Sequence, residues 1–189
     1  MQSDNLRAVR LVVSLSLHFT TSRTAHKLRL IEALCEKRKT TMYESFDKYI
    51  KYMEMNKDQF PNHVYEFAID PERHILQSPH SLHDAWLTSF TIQENRNLIR
   101  PFEPSPSIEL VLLGQMHDRD IVLNYSGIEW YEIGGRKNQY NWGDTYHGDI
   151  EAHQVRLEGN SILHEIEFVS ESKITVACKD FTCSEKMHA

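Results

Sequence analysis

The residues best suited to bind a metal are two histidines and one cysteine near the C-terminal end. His153, His164 and Cys178 each lie in a segment where apolar and polar residues alternate, as in a half-buried strand. A turn at 159–160 would place His164 diagonal to His153 on one sheet face, and a turn at 170–172 would place Cys178 directly opposite His164. Because imidazole and thiolate are zinc ligands, this arrangement would form a three-ligand zinc site with an open fourth position.

The same three residues also fit an ordinary buried sheet face. A histidine among apolar neighbours commonly forms hydrogen bonds within a core, and a buried cysteine behaves as a small apolar residue. A one-residue change in either turn would move the ligands to opposite faces of the sheet. The metal site and the packed core are therefore alternatives, and we expect no bound metal or other cofactor.

The stretch 134–149 has neither helical nor strand periodicity. Loops longer than about 12 to 15 residues are usually functional or disordered, and its aromatic content argues against disorder. Rings set among glycine, asparagine and arginine resemble binding surfaces, where rigid aromatic groups supply contact area. The candidate partner-binding residues are Arg136, Tyr140, Trp142 and Tyr146. The alternative is that these rings cover an open end of the sheet.

Hydrophobic periodicity around these residues predicts an α+β fold. Residues 25–35 follow helical spacing, and Tyr43–Met53 repeat it with Thr40 or Thr41 as a cap. Beyond residue 62 the pattern is that of strands, with a stiff connector at 103–107. The predicted strands are Val64–Ile69, Ala85–Ile92, Ile108–Leu113, Ile121–Tyr125, Ile128–Ile133 and a three-strand meander from Glu151 to Phe181. We expect N-terminal helices packed on a mainly antiparallel β-sheet that ends in this meander.

The length of 189 residues fits a single domain. Within it, we expect residues 1–62 to form a basic, mainly helical segment and residues 63–183 to form the antiparallel β region. Because Met42 opens the second predicted helix, whether residues 1–41 belong to the native protein stays open.

Charge and composition limit the classes of partner. Residues 1–41 contain eight basic and three acidic residues, so the other residues carry 13 basic against 24 acidic ones, a balance of −11. An acidic surface disfavours nucleic acid and favours a basic protein partner. No apolar run approaches the roughly 20 residues that span a bilayer, so we expect no membrane association. Three cysteines, an odd and sparse set without the spacing of a metal site, indicate a reducing, cytoplasmic compartment.

Several short motifs resemble a known group of proteins. They are Ser81–Leu87, Tyr125–Ile128, Gly148–Ile150, Ile174–Val176 and Lys179–Phe181. Together they resemble small uncharacterised bacterial β-rich proteins, some of which are similar to immunity proteins of polymorphic toxin systems. The resemblance covers about residues 64–183 and implies a compact binding protein rather than an enzyme. It implies no catalytic residue.

Three functional hypotheses follow. The first is a soluble, non-enzymatic protein-binding domain, of the immunity type, that binds a basic partner through the 134–149 loop. The second is a small metal-dependent hydrolase that uses His153, His164 and Cys178. The third is a homo-oligomerisation module in which the aromatic loop meets the loop of a second copy.

Overall fold

A computed structural model describes residues 45–100, 102–140 and 143–188. This part of the chain contains helices α1 (Phe46–Met55) and α2 (Asn62–Ile69) and eight strands. The strands are β1 (Trp86–Arg96), β2 (Pro104–Leu113), β3 (Arg119–Ser126), β4 (Trp130–Gly134), β5 (Ile150–Glu158), β6 (Ser161–Phe168), β7 (Lys173–Cys178) and β8 (Asp180–Met187). The helix predicted over 25–35 and the Thr40 or Thr41 cap lie outside the described residues, as does Trp142.

Helix α1 confirms the predicted second helix from residue 46 onward. Ser45 is its N-cap, and the hydroxyl of Ser45 accepts a hydrogen bond from the backbone N–H of Lys48. Tyr49 and Met53 are buried, and their four-residue spacing turns one face of the helix toward the core. No helix among the described residues is long and apolar enough to cross a membrane.

The strand predicted over Val64–Ile69 is wrong, because these residues belong to helix α2. Half of its eight residues are buried: Val64, Tyr65, Phe67 and Ala68. The buried residues have the i, i+1, i+3, i+4 spacing of one helix face, but eight residues rich in β-branched and aromatic side chains also fit a short buried strand. The helix also crosses the boundary predicted between residues 62 and 63.

The described part of the chain is mainly β, with its strands in two antiparallel four-stranded sheets instead of the single sheet predicted. The strand orders are β1-β2-β3-β8 and β4-β7-β6-β5. The chain enters the second sheet between β3 and β4 and returns to the first between β7 and β8. At the return, the N–H of Lys179 donates to the carbonyl groups of Ser126 and Gly127. The predicted meander is confirmed as β5, β6 and β7.

Strands β1 and β2 extend beyond their sheet as a two-stranded hairpin. Strand β3 pairs with β2 only from Ser107 onward, whereas β1 pairs with β2 as far as Pro104. Pro104 and Pro106 therefore lie where β2 has a neighbour on one side, and their missing N–H groups interrupt no ladder to β3. Residues 104–107 of the stiff connector predicted at 103–107 therefore belong to strand β2.

One hydrophobic core joins both sheets and both helices. Its fully buried side chains include Leu110, Leu123, Tyr125, Phe181, Val155, Ile166 and Val176. Helix α1 also covers the outer edge of β5, where the hydroxyl groups of Tyr49 and Tyr52 accept hydrogen bonds from the N–H groups of Val155 and Leu157. These bonds satisfy backbone donors that an edge strand would otherwise leave unpaired.

Candidate functional site

The loop between β4 and β5 is organised around the buried side chain of Asn138. The amide oxygen of Asn138 accepts a hydrogen bond from the N–H of Tyr140 at 2.9 Å. The N–H of Asn138 donates to the carbonyl of Tyr146 at 2.6 Å. Gly148, with φ of 78°, leaves room for this side chain, since a Cβ atom there would lie 3.0 Å from Asn138 Nδ2.

Ser172, in the turn between β6 and β7, ties the same loop to the second sheet. Its Oγ accepts a hydrogen bond from the N–H of Arg136 at 2.8 Å and lies 3.0 Å from the carbonyl oxygen of that residue. The Nδ1 atom of His147 lies 3.0 Å from the same Oγ. Partial burial lowers the pKa of His147. The loop is therefore fixed near both of its ends.

The anchored loop presents predicted contact residues to solvent. The side chain of Tyr140 is 83% exposed and that of Tyr146 is 55% exposed. Arg136 is also exposed and forms an ion pair with Glu171. Because Tyr140 is so exposed, its ring does not cover an end of the sheet, which was the alternative interpretation.

Cys178 does not lie opposite His164, as the predicted turn required. The register of β6 and β7 pairs Cys178 with Ile162 and pairs His164 with Val176, two residues away from the prediction. The turn comprises 169–171 and is closed by a hydrogen bond from the N–H of Phe168 to the carbonyl of Ser172, so it lies one residue earlier than the turn predicted at 170–172. Burial raises the pKa of the Cys178 thiol to about 12, so the thiolate form that binds metals is disfavoured.

His153 and His164 belong instead to a buried chain of hydrogen bonds. Tyr125 Oη lies 2.8 Å from His164 Nδ1, His164 Nε2 lies 3.3 Å from His153 Nδ1, and His153 Nε2 lies 3.2 Å from the carbonyl oxygen of Arg73. The carbonyl can only accept, so His153 carries its proton on Nε2 and accepts at Nδ1. His164 then donates from Nε2 and accepts at Nδ1, so the hydroxyl of Tyr125 must be a donor.

The side chains of Tyr125, His153 and His164 in this hydrogen-bonded series are electrically neutral. Burial lowers the pKa of His164 to about 3 and holds that of His153 well below its usual value. Burial likewise raises the pKa of Tyr125 well above its usual value. The ring of His74 stacks on His153 with a centroid distance of 4.3 Å. The arrangement matches the interpretation of these histidines as hydrogen-bonded core residues.

Within the described residues, no group of three His, Cys, Asp or Glu side chains is arranged to hold a metal ion. A groove of about 530 Å³ lies between α2 and β8 and includes ionisable side chains. These side chains have partners in the protein: His63 Nε2 bonds Asp180 at 2.8 Å, and Arg73 bonds Glu185 at 2.7 Å. Burial raises the pKa of Cys183, which also lines the groove, to about 11, and this disfavours nucleophilic chemistry there.

Glu185 is the centre of a charge cluster that the sequence analysis missed. Its carboxylate accepts hydrogen bonds from Arg73 at 2.7 Å and from Arg119 at 2.8 Å, and it lies 2.8 Å from His80 Nδ1. Burial alone would raise the pKa of Glu185, but the bonds from Arg119, His80 and Arg73 outweigh it and lower the pKa. The cluster holds β8 to β3 and to the segment between α2 and β1.

The sequence analysis also missed the tip of the β1–β2 hairpin. Leu98, Ile99 and Phe102 are 96%, 89% and 93% exposed, respectively. Arg100 and Glu103 form an ion pair within the same tip, so these two residues leave it without net charge. The sequence signal was a group of large apolar residues between two strands, at positions without strand alternation. Exposed apolar clusters of this kind mark interaction surfaces.

The structure keeps the predicted contact residues Arg136, Tyr140 and Tyr146 on one anchored loop. Of the predicted metal ligands, His153 and His164 lie within hydrogen-bonding distance of each other, whereas Cys178 on β7 pairs with Ile162 on β6. No protein-family model and no curated protein matches this chain.

Proposed function

We propose that this chain is a non-enzymatic protein-binding domain that captures a basic partner through the 134–149 loop. The observation that carries the proposal is the loop itself, in which buried Asn138 fixes the backbone while Tyr140 and Tyr146 stay exposed. A loop that is anchored near both ends before binding loses less conformational entropy when a partner docks. Tyrosine rings supply large contact areas with few rotatable bonds.

The charge of the chain supports a basic partner. Residues 42–189 carry a net charge of −11, and a field of this sign speeds association with a positively charged protein. The apolar hairpin tip at 97–103 offers a second contact surface. Because its Arg100–Glu103 pair is neutral, the tip would add apolar contact area rather than electrostatic attraction.

An immunity-type role would make that partner a toxin. The resemblance of the motif Ser81–Leu87 and its companion motifs to immunity proteins supports this assignment. A toxin gene directly upstream of the gene for this chain would supply the candidate partner for binding measurements. A metabolic operon in that position would favour the hydrolase hypothesis instead.

Binding kinetics with the neighbouring gene product would test the role of the loop. We expect Tyr140→Ala and Trp142→Ala each to raise the dissociation rate by a factor of about 30, equivalent to about 2 kcal/mol at a central contact. The matched control is Tyr131→Ala, which removes a half-exposed tyrosine from β4, outside the loop. Increasing salt should slow association because it screens the acidic surface.

The loop variants should keep the melting temperature of the unmodified chain, which separates lost contact from lost folding. Binding that ignores both salt and the loop substitutions would contradict the proposal. Equal effects of Tyr131→Ala and Tyr140→Ala would also contradict it, because the loop would then have no special role.

A further inference from the structure

The edge strand β1 differs from the other three edge strands of the two sheets. The hydroxyl groups of Tyr49 and Tyr52 cover the β5 edge, and helix α2 packs against β8. Strand β4 is short, with five residues. Strand β1 has eleven residues. Among the described residues, its backbone pairs with β2 along its length and with Asp149 at a single bridge near its start.

The exposed edge of β1 has the chemistry of a strand that accepts another strand. Its pairing with β2 is regular from Ser89 to Arg96, after an irregularity between Leu87 and Ser89. Every second residue along this stretch directs its backbone N–H and C=O outward. The stretch contains no lysine or proline, which commonly protect edges, and Ile92 is 40% exposed on the side facing the core.

We propose that β1 pairs in antiparallel orientation with β1 of a second copy of this chain, about a two-fold axis at Thr91. In this register Thr91 faces Thr91 of the second copy, and Phe90 faces Ile92 twice. Opposed residues lie on the same sheet face, so Phe90 contacts Ile92 of the second copy on the side of the sheet that faces the core. Aromatic with β-branched pairs and threonine pairs stabilise adjacent antiparallel strands. The product is one continuous eight-stranded sheet.

Charge favours β1 over β4 as the contact between copies. In the β1 register, Glu94 lies opposite Thr88, so no two like charges face each other. Full antiparallel pairing of β4 with itself would place Glu132 directly opposite Glu132, which is destabilising. The proposed contact uses no residue of the 134–149 loop and is independent of the proposed binding function.

Sedimentation velocity of the full chain across the micromolar range would test the dimer. We expect a monomer–dimer equilibrium in which Thr91→Lys raises the dissociation constant at least about tenfold, since two lysines would face each other. The matched control is Asn124→Lys. Asn124 lies on the same exposed face and in the same cross-strand row as Thr91, two strands from the edge, so its substitution should leave the dimer unchanged.

Cross-linking would test the register. Thr91→Cys should form a disulfide between copies under mild oxidation, because the Cα atoms of directly opposed residues lie about 4.5–5.5 Å apart, within the range that a disulfide spans, whereas Asn124→Cys and the unmodified chain should not. A chain that stays monomeric throughout the concentration range would overturn the proposal. A Thr91→Lys variant with a lower melting temperature but an unchanged dissociation constant would also overturn it. Thr91 would then contact another part of the same chain instead of a second copy.

Discussion

At the scale of single residues, the hydroxyl of Tyr125 is the donor at the end of the buried series of hydrogen bonds through His164 and His153. Tyr125→Phe keeps the ring but removes the donor to His164 Nδ1, 2.8 Å away. We expect this change to lower the free energy of unfolding by about 1–3 kcal/mol, the usual cost of an unsatisfied buried acceptor. Chemical denaturation would measure it. Tyr131→Phe is the control, since Tyr131 is half-exposed, and a loss of equal size in both variants would mean that the buried hydrogen bond to His164 adds no stability.

The buried histidines also predict how stability depends on pH. Burial lowers the pKa of His164 to about 3 and lowers that of His153, so below about pH 6.5 the unfolded chain binds more protons than the folded one. The free energy of unfolding should therefore fall as pH falls, by about 1.4 kcal/mol per pH unit for each histidine that stays neutral.

Denaturation curves between about pH 6.5 and 5 would measure this slope, in a range above that where ordinary carboxylates titrate. We expect His164→Leu to reduce this slope by the contribution of one histidine. This holds even if the substitution also changes the free energy of unfolding at neutral pH. A slope that is the same in this variant would mean that His164 can accept a proton in the folded protein.

At the scale of elements, Gly148 lets the contact loop close over Asn138. A Cβ atom at Gly148 would lie 2.5 Å from Val169 Cγ2, whereas one at Gly159 would have nothing within 4 Å. Both glycines have positive φ, so Gly148→Ala and Gly159→Ala share the backbone strain and differ in the steric clash. We expect Gly148→Ala to cost more stability and to weaken partner binding. Thermal unfolding and binding kinetics of both variants would test this, and equal losses would contradict it.

Elements with strong local patterns were predictable from the sequence. Alternation located β1, β2, β3 and the β5–β7 meander, and the turn at Gly159-Asn160 correctly paired His153 with Ile166. The second turn lies one residue earlier than predicted, which shifts the register by two residues and moves Cys178 away from its expected partner. The position of a turn depends on backbone hydrogen bonds that residue types alone do not determine, so the zinc geometry could not be predicted reliably.

Features set by tertiary packing escaped the sequence analysis. Helix α2 has β-branched and aromatic residues that favour strands, and the packing of its buried face in the core overrides that preference. Strand β8 was missed beyond Phe181 because charged Glu185 occupies a position where alternation would require an apolar residue. Its partners Arg73 and Arg119 are distant in sequence, so the local pattern does not reveal why a carboxylate is tolerated there.

At the scale of the whole molecule, the described core and both candidate interaction surfaces belong to one compact unit, Tyr43–Ala189. We therefore expect a chain that lacks residues 1–41 to stay soluble and folded. Loss of solubility, or a melting temperature lower by more than about 10 °C, would mean that the N-terminal segment contributes several kcal/mol to the core. Deletion of β8 is the comparison, since it would remove Phe181 from the core and should prevent folding.

The same truncated chain distinguishes two occupants of the β1 edge. If β1 pairs with a second copy, sedimentation should give the same dissociation constant with and without residues 1–41, because the opposed residues lie at 88–94. If the segment 11–19, whose apolar residues also alternate, normally pairs with β1, its removal should expose the edge and strengthen association. An association that appears only after truncation would therefore assign the edge to the chain's own N-terminal segment and exclude the native dimer.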